Sequence, residues 1–473
     1  MHHRIDQIRT VILTLGVCLA VPGWAQDAVT SALSFDPWNT QANIQSLGTY
    51  IRPPQQFPLP HTPPLAPENR TWTLTALTNW ALLHNPQTAQ AWAALRASAD
   101  SLGIAEGAWL PTVTLQGQYQ TSQTKYYMTG IASVDSQTTY DNLSINEVLY
   151  DFGRRQASIA QAKDAVWVAQ FQADAAIQQV TQTLSQAYYN YLYAQTAESD
   201  LAQSVVDAQQ LVETTRKLYE SHLRPATDYN QMQVFLEGVK QQWILARGNM
   251  LSSQGSLAQA AGMSVDQILK VTQMSTPPEQ IPSDIRTLLN QALKQNPNVL
   301  MNAASVKQAE AALELARAQN KPSLSVTLNS QDNIPNMGIR TRNTSVMLQV
   351  NIPIDANLTL HYQTRQQYDL LSQAIAQEQV QAASVELGVW QAFQVMQSSW
   401  QAYKTDLDQV ASAKLTVYGM RARYNMGLSS ILEVINAEQN LTSAKLSEAL
   451  DLSNVYIYLA ILYAYIGIAP TVN

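Results

Sequence analysis

Apolar and polar side chains alternate along four stretches of the chain. Val113, Leu115, Gly117 and Tyr119 fall on one face while Thr112, Thr114, Gln116 and Gln118 fall on the other, the period of a strand with two unlike sides. Leu143 and Ile145 oppose Asn142, Ser144 and Asn146; Leu324, Val326 and Leu328 oppose Ser323, Ser325, Thr327 and Asn329. Val346, Leu348, Val350 and Ile352 oppose Ser345, Gln349 and Asn351. The pattern predicts four strands of roughly ten residues, the length that crosses an outer membrane when tilted. A half-buried sheet on a soluble core is the plainer reading of any one such strand. Two features favour the membrane: the polar face carries hardly any charge, and Trp109, Tyr150 and Phe152 cluster at the strand ends, as aromatics do at a lipid interface. Four strands cannot close a barrel and open edges are not tolerated in hydrocarbon, so this reading requires other copies of the chain.

The stretch "NEVLYDFGRRQASIAQAKDAV" at 146–166 changes period halfway, from two to between three and four. Strand therefore runs into helix through an Asp-Phe-Gly turn. Ile159, Ala162, Val166, Ala169, Ala173, Ala176 and Val180 form an alanine-rich heptad seam, which suits close helix packing. Leu371, Ile375, Glu378, Ala382, Val385, Val389, Ala392 and Met396 repeat it, and Leu452, Val455, Leu459, Leu462 and Ile466 form a last one. A helix from about 154 to 220 extends on the order of 100 Å.

These elements occur twice. "LTNWALLHNP" at 77–86 returns as "LLNQALKQNP" at 288–297, and Pro111 returns as Pro322, a shift of 211. "LYESHLRPATDYNQMQ" at 218–233 matches "RYNMGLSSILEVINAE" at 423–438 at a shift of 205, pairing Tyr219 with Tyr424 and Asp228 with Glu433. The change of shift requires net deletion in the second copy, most simply in its strand loop. The predicted organisation is a first repeat at 71–274, a linker at 275–284 rich in proline, a second repeat at 285–468 and a tail at 469–473. Residues 26–70 include "IRPPQQFPLPHTPPLAP" and read as an extended, polyproline-like strap. Residues 1–25 read as a secretory signal: Arg4 and Arg9, the apolar run "VILTLGVCLAV", then Gly23-Trp24-Ala25 before cleavage. Its apolar run is too short to span a bilayer, and no later segment is expected to be long and apolar enough to cross as a helix. Cys18, the one cysteine, lies within it, with Val17 where a lipidation site wants a small residue. The mature chain then has no disulfide or thiolate metal site.

Only 13% of the 473 residues are charged, with a net charge of −7. Long amphipathic helices so poor in charge must face protein or a polar lumen over much of their surface, and the acidic balance argues against nucleic acid. No catalytic constellation is apparent. The histidines, His2, His3, His61, His84, His222 and His361, are scattered, and there is no HExxH, GxxxxGK[ST] or GxSxG. No cofactor is implied. A soluble periplasmic adaptor or structural coiled-coil protein is the alternative; it would share the signal and long hairpins but lack the two strand pairs.

With its two "NP" helices, proline-initiated strands, "LYDFGRR" and "YNMGLSSILEVINAEQNLTSAK", the mature chain resembles the TolC family of outer-membrane efflux proteins over nearly its whole length. The resemblance implies a homotrimer of mainly α protomers, each giving four strands to a 12-stranded membrane β-barrel continued into the periplasm by an α-helical barrel. It implies a passive exit duct for efflux or type I secretion, working with a periplasmic adaptor and an inner-membrane transporter. Asp151, Gly153 and Arg154 would form the strand-to-helix junction. The hairpin tips carrying Tyr219, Gly427 and Leu428 would dock the adaptor. The periplasmic gate would comprise Glu433, Asn436, Tyr424 and Asp228, with Glu433 on the first acidic ring position and Asn436 where the family's well-known form has a second carboxylate. Alternatives from the residues themselves are a helix-start role for Glu433, helix capping for Asp228 and ordinary packing for Tyr424. Ser429 stands where better-known members have a latching arginine, so that latch is expected to be absent. His222 replaces the glycine matched by Gly427, so the residue pattern of the tip is complete in the second copy alone.

Overall fold

The computed structural model describes residues 71–126, 132–272, 281–336 and 338–468. The signal with Cys18, the proline-rich segment 26–70, most of the 275–284 linker and the 469–473 tail lie outside them. In chain order come β1 (Thr71–Trp72), α1 (Leu74–His84), α2 (Pro86–Glu106), a 3-10 turn at Gly107–Trp109, β2 (Thr112–Tyr126), β3 (Ala132–Tyr150), α3 (Arg154–Glu220) and α4 (Ala226–Ala260). Then follow β4 (Lys270–Val271), α5 (Ile285–Gln295), α6 (Pro297–Gln319), β5 (Ser323–Pro335), β6 (Thr341–Asn351), α7 (Thr359–Asn425) and α8 (Ile431–Ile466). Two helices, two strands, a very long helix and a returning helix thus occur twice. Both α3 and α7 have 67 residues, or ~100 Å. The change of repeat shift arises at the strands: the second hairpin spans 323–351 against 112–150, and its junction to helix runs 352–358 against 151–153.

The Asn-Pro dipeptides break and restart helices. The side chain of Asn85 accepts from Gln87 N at 2.9 Å and that of Asn296 from Asn298 N at 2.9 Å, with Pro86 and Pro297 at the first helical position. Each Asn also reaches the end of its repeat's returning helix: Asn85 Nδ2 donates to Ala260 O (3.1 Å) and Asn296 Nδ2 to Tyr465 O (2.9 Å). The crossing at Asn296 is close enough that a Cβ on Gly467, at φ +89°, would drive into the Gln295 carbonyl.

β2, β3, β5 and β6 form one antiparallel sheet in that order, and β1 pairs in parallel with β4. Register aligns the alternation across strands. Val113, Ile145, Leu328 and Val346 make one row, and Thr114, Ser144, Asn329 and Ser345 make the next on the opposite face. The apolar face runs from Leu324 to the row of Asp141, Asp332 and Arg342. That interval is ~27 Å along the strand and ~20 Å along a membrane normal at usual tilt, close to the apolar band of outer-membrane barrels. Two hydroxyls on this face, those of Ser330 and Thr344, bond each other (3.3 Å). Asp332 closes the band by pairing with Arg340 and Arg342. Glu147, beside Val326, is the ionisable group inside it among the described residues.

β2 and β3 have 15 and 19 residues rather than about ten, because they go on pairing with each other from Gln118–Tyr140 to Tyr126–Ala132 beyond that charged row. β2 and β6 each have one strand neighbour in the sheet, so both outer edges are unpaired.

Apolar cores sit where short elements meet long ones. One joins Trp72, Leu77, Leu184, Leu192 and Leu257; another joins Leu288, Val389, Met396, Leu462 and Ile466. The second seam is closed from Val385 to Met396, while Ile375 above it is 41% exposed. One expectation needs correction. α8 is long and apolar enough to cross a membrane, but half of its most apolar window is buried in the chain. It packs on α7, α3 and α5, so its apolarity serves the core.

Candidate functional site

The residues singled out from the sequence gather at two places, the strand-to-helix junction and the paired tips of the helical hairpins. At the junction Asp151 is buried, and its Oδ1 accepts from Gly153 N (3.3 Å). Its Oδ2 accepts from Arg155 N (3.0 Å) and Arg155 Nε (2.9 Å). Phe152 and Gly153 take left-handed φ of 52° and 92°, which turns strand into helix; Gly153 adopts this freely, Phe152 at a cost. Arg154 is half-buried and reaches the carbonyls of Gln319 and Lys321, both at 3.5 Å. Arg155, which sequence reasoning passed over, is the buried partner, and its guanidinium lies 4.1 Å from the Trp109 ring centre. Trp109, Tyr150 and Phe152 are about half exposed around it. The second copy reaches the same end with other residues: Asp355 accepts from Leu360 N (3.1 Å) and His361 N (2.8 Å), and Leu358 takes the left-handed turn at φ 59°.

At the tips the two hairpins close alike. Leu428 N donates to Arg423 O (2.8 Å) and Gly427 N to Tyr424 O (3.0 Å), the paired bonds that end a helix through a left-handed residue. Leu223 N to Leu218 O (2.9 Å) and His222 N to Tyr219 O (2.8 Å) do the same in the first copy. His222 at φ 60° thus holds the geometry that Gly427 holds at φ 82°, although the residue pattern is lost. Tyr219 is part-exposed and stacks on Tyr229 with ring centres 6.3 Å apart. Leu223, Met426 and Leu428 are about two-thirds exposed.

Between the tips Tyr424 is 2% exposed, and its hydroxyl donates to Asp228 Oδ2 at 3.2 Å. Burial pushes the Tyr424 pKa up. Asp228 lies in the first turn of α4, but its side chain makes no cap bond; the capping expected for it gives way to this bond across hairpins. Arg224 completes the junction. Its Nη2 donates to Tyr424 O (2.6 Å) and Ser429 O (3.3 Å), and its guanidinium carbon lies 4.3 Å from the Tyr424 ring centre. Ser429 itself bonds Met420 O (3.4 Å). The arginine at this crossing comes from the first copy, and the 205-residue shift that pairs Tyr219 with Tyr424 also pairs Arg224 with Ser429.

Glu433 forms a capping box with Ser430: Glu433 N donates to Ser430 Oγ (3.3 Å) and Ser430 N to Glu433 Oε1 (3.5 Å). Glu433 and Asn436 are both exposed, three residues apart on one helix face. Further up, α7 and α8 are tied to α3. Arg421 bonds the buried Glu438 and approaches Asp207 (3.9 Å), Ser204 meets Thr442 (3.2 Å), and Lys445 pairs with Asp200 (3.7 Å). Among the described residues no cluster of His, Cys, Asp and Glu could hold a metal ion.

The chain matches the family described as "Outer membrane efflux protein" over residues 77–263 and 288–468, one segment in each structural repeat. It is 21% identical over 389 residues to protein CyaE of Bordetella pertussis, covering 81% of each chain. It is 25% identical over 386 residues to outer membrane protein TolC of Escherichia coli K12, covering 77% of this chain and 76% of that one. Among solved structures CusC superposes with a TM-score of 0.72 at 17% identity, over 84% of this chain and 92% of that one. With the family matched across both halves and the fold shared over most of its length, the chain belongs to the outer membrane efflux proteins.

Proposed function

We propose that three copies of this chain form a passive duct through the outer membrane and periplasm, and that the paired hairpin tips are its periplasmic gate. The unpaired edges of the four-stranded sheet carry this reading. A sheet with an apolar band on one face and a neutral polar face on the other must close in lipid, and joining β2 of one copy to β6 of the next closes it. The polar face, with Thr114, Gln116, Asn142, Asn329 and Ser345, then lines the lumen. A soluble adaptor leaves the apolar band unexplained. Energy and cargo come from an inner-membrane transporter through a periplasmic adaptor, which docks at the exposed Leu223, Met426 and Leu428 beside Tyr219 and Gly427. Tyr424, Asp228 and the capping-box residue Glu433, with Asn436 one turn on, narrow the mouth. The repeats at 71–274 and 285–468 act as outer and inner halves of each wall.

Detergent-extracted protein is sized and then recorded in a planar lipid bilayer. A trimer with a small, stable, cation-preferring conductance is expected. A folded monomer that inserts and never conducts refutes the proposal.

A further inference from the structure

The shaft holds a group that none of these roles uses. Asp406 on α7 is 8% exposed, and among the described residues no hydrogen-bond donor reaches its Oδ2. It faces carboxylates instead: Asp451 and Glu448 of α8 both act on it. α8 is the element packed against this part of α7, since α5 and α6 meet α7 nearer its start, at Val385–Met396 and Leu371. The other titratable groups in this neighbourhood are the hydroxyls of Tyr403, which feels Glu448 and Tyr456, and of Tyr189, stacked on Tyr456 at 4.7 Å. The nearby cations are engaged elsewhere. Lys404 lies 4.8 Å from the Trp400 ring centre, and Lys445 pairs with Asp200 at 3.7 Å. Asn454 Nδ2 reaches Asp451 Oδ1 at 3.5 Å, and Oδ2 of Asp406 keeps no donor of its own. A buried carboxylate oxygen with no donor is costly, and a second carboxylate beside it cannot help while both are ionised. One proton resolves both problems, because the protonated group becomes the donor to its neighbour.

We propose that Asp406 and Asp451 share a proton across the α7–α8 seam, making a clasp that is shut in mild acid and loosened at neutral pH. Burial first, then the Asp451 and Glu448 carboxylates, push the Asp406 pKa up to about 6. A carboxyl raised in the folded state imposes no penalty below the ordinary value near 4. It imposes the full penalty above its folded value, so stability is lost as pH rises through about 6. The clasp lies on the hairpin that also carries Tyr424 and Glu433, so loosening it favours release of the tip; that consequence rests on the gate reading above.

The test uses the full-length, detergent-extracted assembly, melted at about pH 5 and about pH 7.5. Wild type should melt lower at the higher pH. Asp406→Asn, whose amide donates permanently, should lose most of that shift and melt above wild type at the higher pH. Asp451→Asn, the same change from the other side, should do likewise, which guards against one variant misfolding. Either variant keeping the full wild-type slope while folded overturns the clasp. Bilayer recordings at both values read the second half: conductance should rise with pH in wild type and not in Asp406→Asn. A pH response surviving in Asp406→Asn overturns the regulatory role. If Arg224→Ala and Glu433→Gln are silent as well, the gate reading has failed, and the melting result still decides the clasp.

Discussion

Replacing Arg224 with alanine tests the tip most directly, because one side chain makes three contacts between the hairpins. It donates to the carbonyls of Tyr424 (2.6 Å) and Ser429 (3.3 Å) and lies over the Tyr424 ring at 4.3 Å. A hydrogen bond from a charged donor contributes about 1.5–3 kcal/mol when well buried, and a part-exposed cation over an aromatic ring about 0.5–1 kcal/mol. Arg224 is half-buried and the second bond is long, so the sum is discounted to about 1.5–3 kcal/mol per protomer. At about 1.4 kcal/mol per factor of ten, the detached population of each tip rises ~10- to ~150-fold. Tyr424→Phe removes one bond to a half-exposed carboxylate that water can replace, about 1 kcal/mol and ~5-fold. Single-channel recording should therefore rank Arg224→Ala as more open than Tyr424→Phe, with wild type most closed. Arg224→Lys should fall between, since a point charge keeps attraction to the carbonyls but loses the flat stack. Arg224→Ala conducting like wild type while Tyr424→Phe opens the channel would refute the reasoning, since the shared ring cannot then be held chiefly by Arg224.

Three further outcomes follow from the geometry. Glu433→Lys should reduce or reverse cation preference in the same recordings, and it also removes the Glu433 half of the capping box with Ser430; unchanged selectivity would place this side chain off the pore. Asp151→Asn leaves the buried Arg155 guanidinium without its counter-charge, which should cost about 3–5 kcal/mol and show as a lower melting temperature of the extracted assembly. Leu358→Gly relieves a left-handed leucine at φ 59° and should stabilise by about 1 kcal/mol, net of the glycine's greater unfolded-state freedom; equal or lower stability argues that its side-chain packing outweighs the strain.

The periods of two and of three to four carried most of the fold, because register in a two-faced sheet follows from the side-chain pattern itself. Val113, Ile145, Leu328 and Val346 share a row for that reason. Strand ends were less legible. Beyond Gln118 and Tyr140 the pairing continues without an apolar face to mark it. α8 is apolar enough to pass for a membrane span, since a helix buried on several sides by α3, α5 and α7 loses the polar stripe that separates core from membrane. At the junction the Asp-Phe-Gly turn was readable from its glycine, whereas Leu358 does the same work with no signature in its residue type. Arg155 was missed because two adjacent arginines look alike until helix phase sends one inward to Asp151.

At the tip a duplicated chain draws an arginine contact from the copy opposite the one that the family resemblance pointed to. The two copies superimpose Arg224 on Ser429 in sequence, and in space the arginine of one tip ends on the carbonyl of the other. Contacts to backbone carbonyls explain the exchange. A guanidinium that binds main-chain oxygens places no demand on the partner's side chain, so Ser429 needs only to present its carbonyl while its hydroxyl turns to Met420. The same argument explains why His222 is tolerated, since the closing bonds run through backbone N–H groups and require a left-handed φ, not a particular side chain. What cannot be exchanged so freely is Tyr424, whose buried ring meets Arg224 on its face while its hydroxyl reaches Asp228. The first copy already has a tyrosine at the matched position, but Tyr219 stacks on Tyr229 near the surface, so for it to take over this role the burial, the arginine and the carboxylate would have to move together. The tyrosine should therefore resist replacement more than either group it contacts, and Arg224 should be the member whose loss can be offset by an arginine restored at 429. Arg224→Ala with Ser429→Arg returning the conductance toward wild type, where Tyr424→Ala with any single compensating change does not, is the result this asymmetry demands.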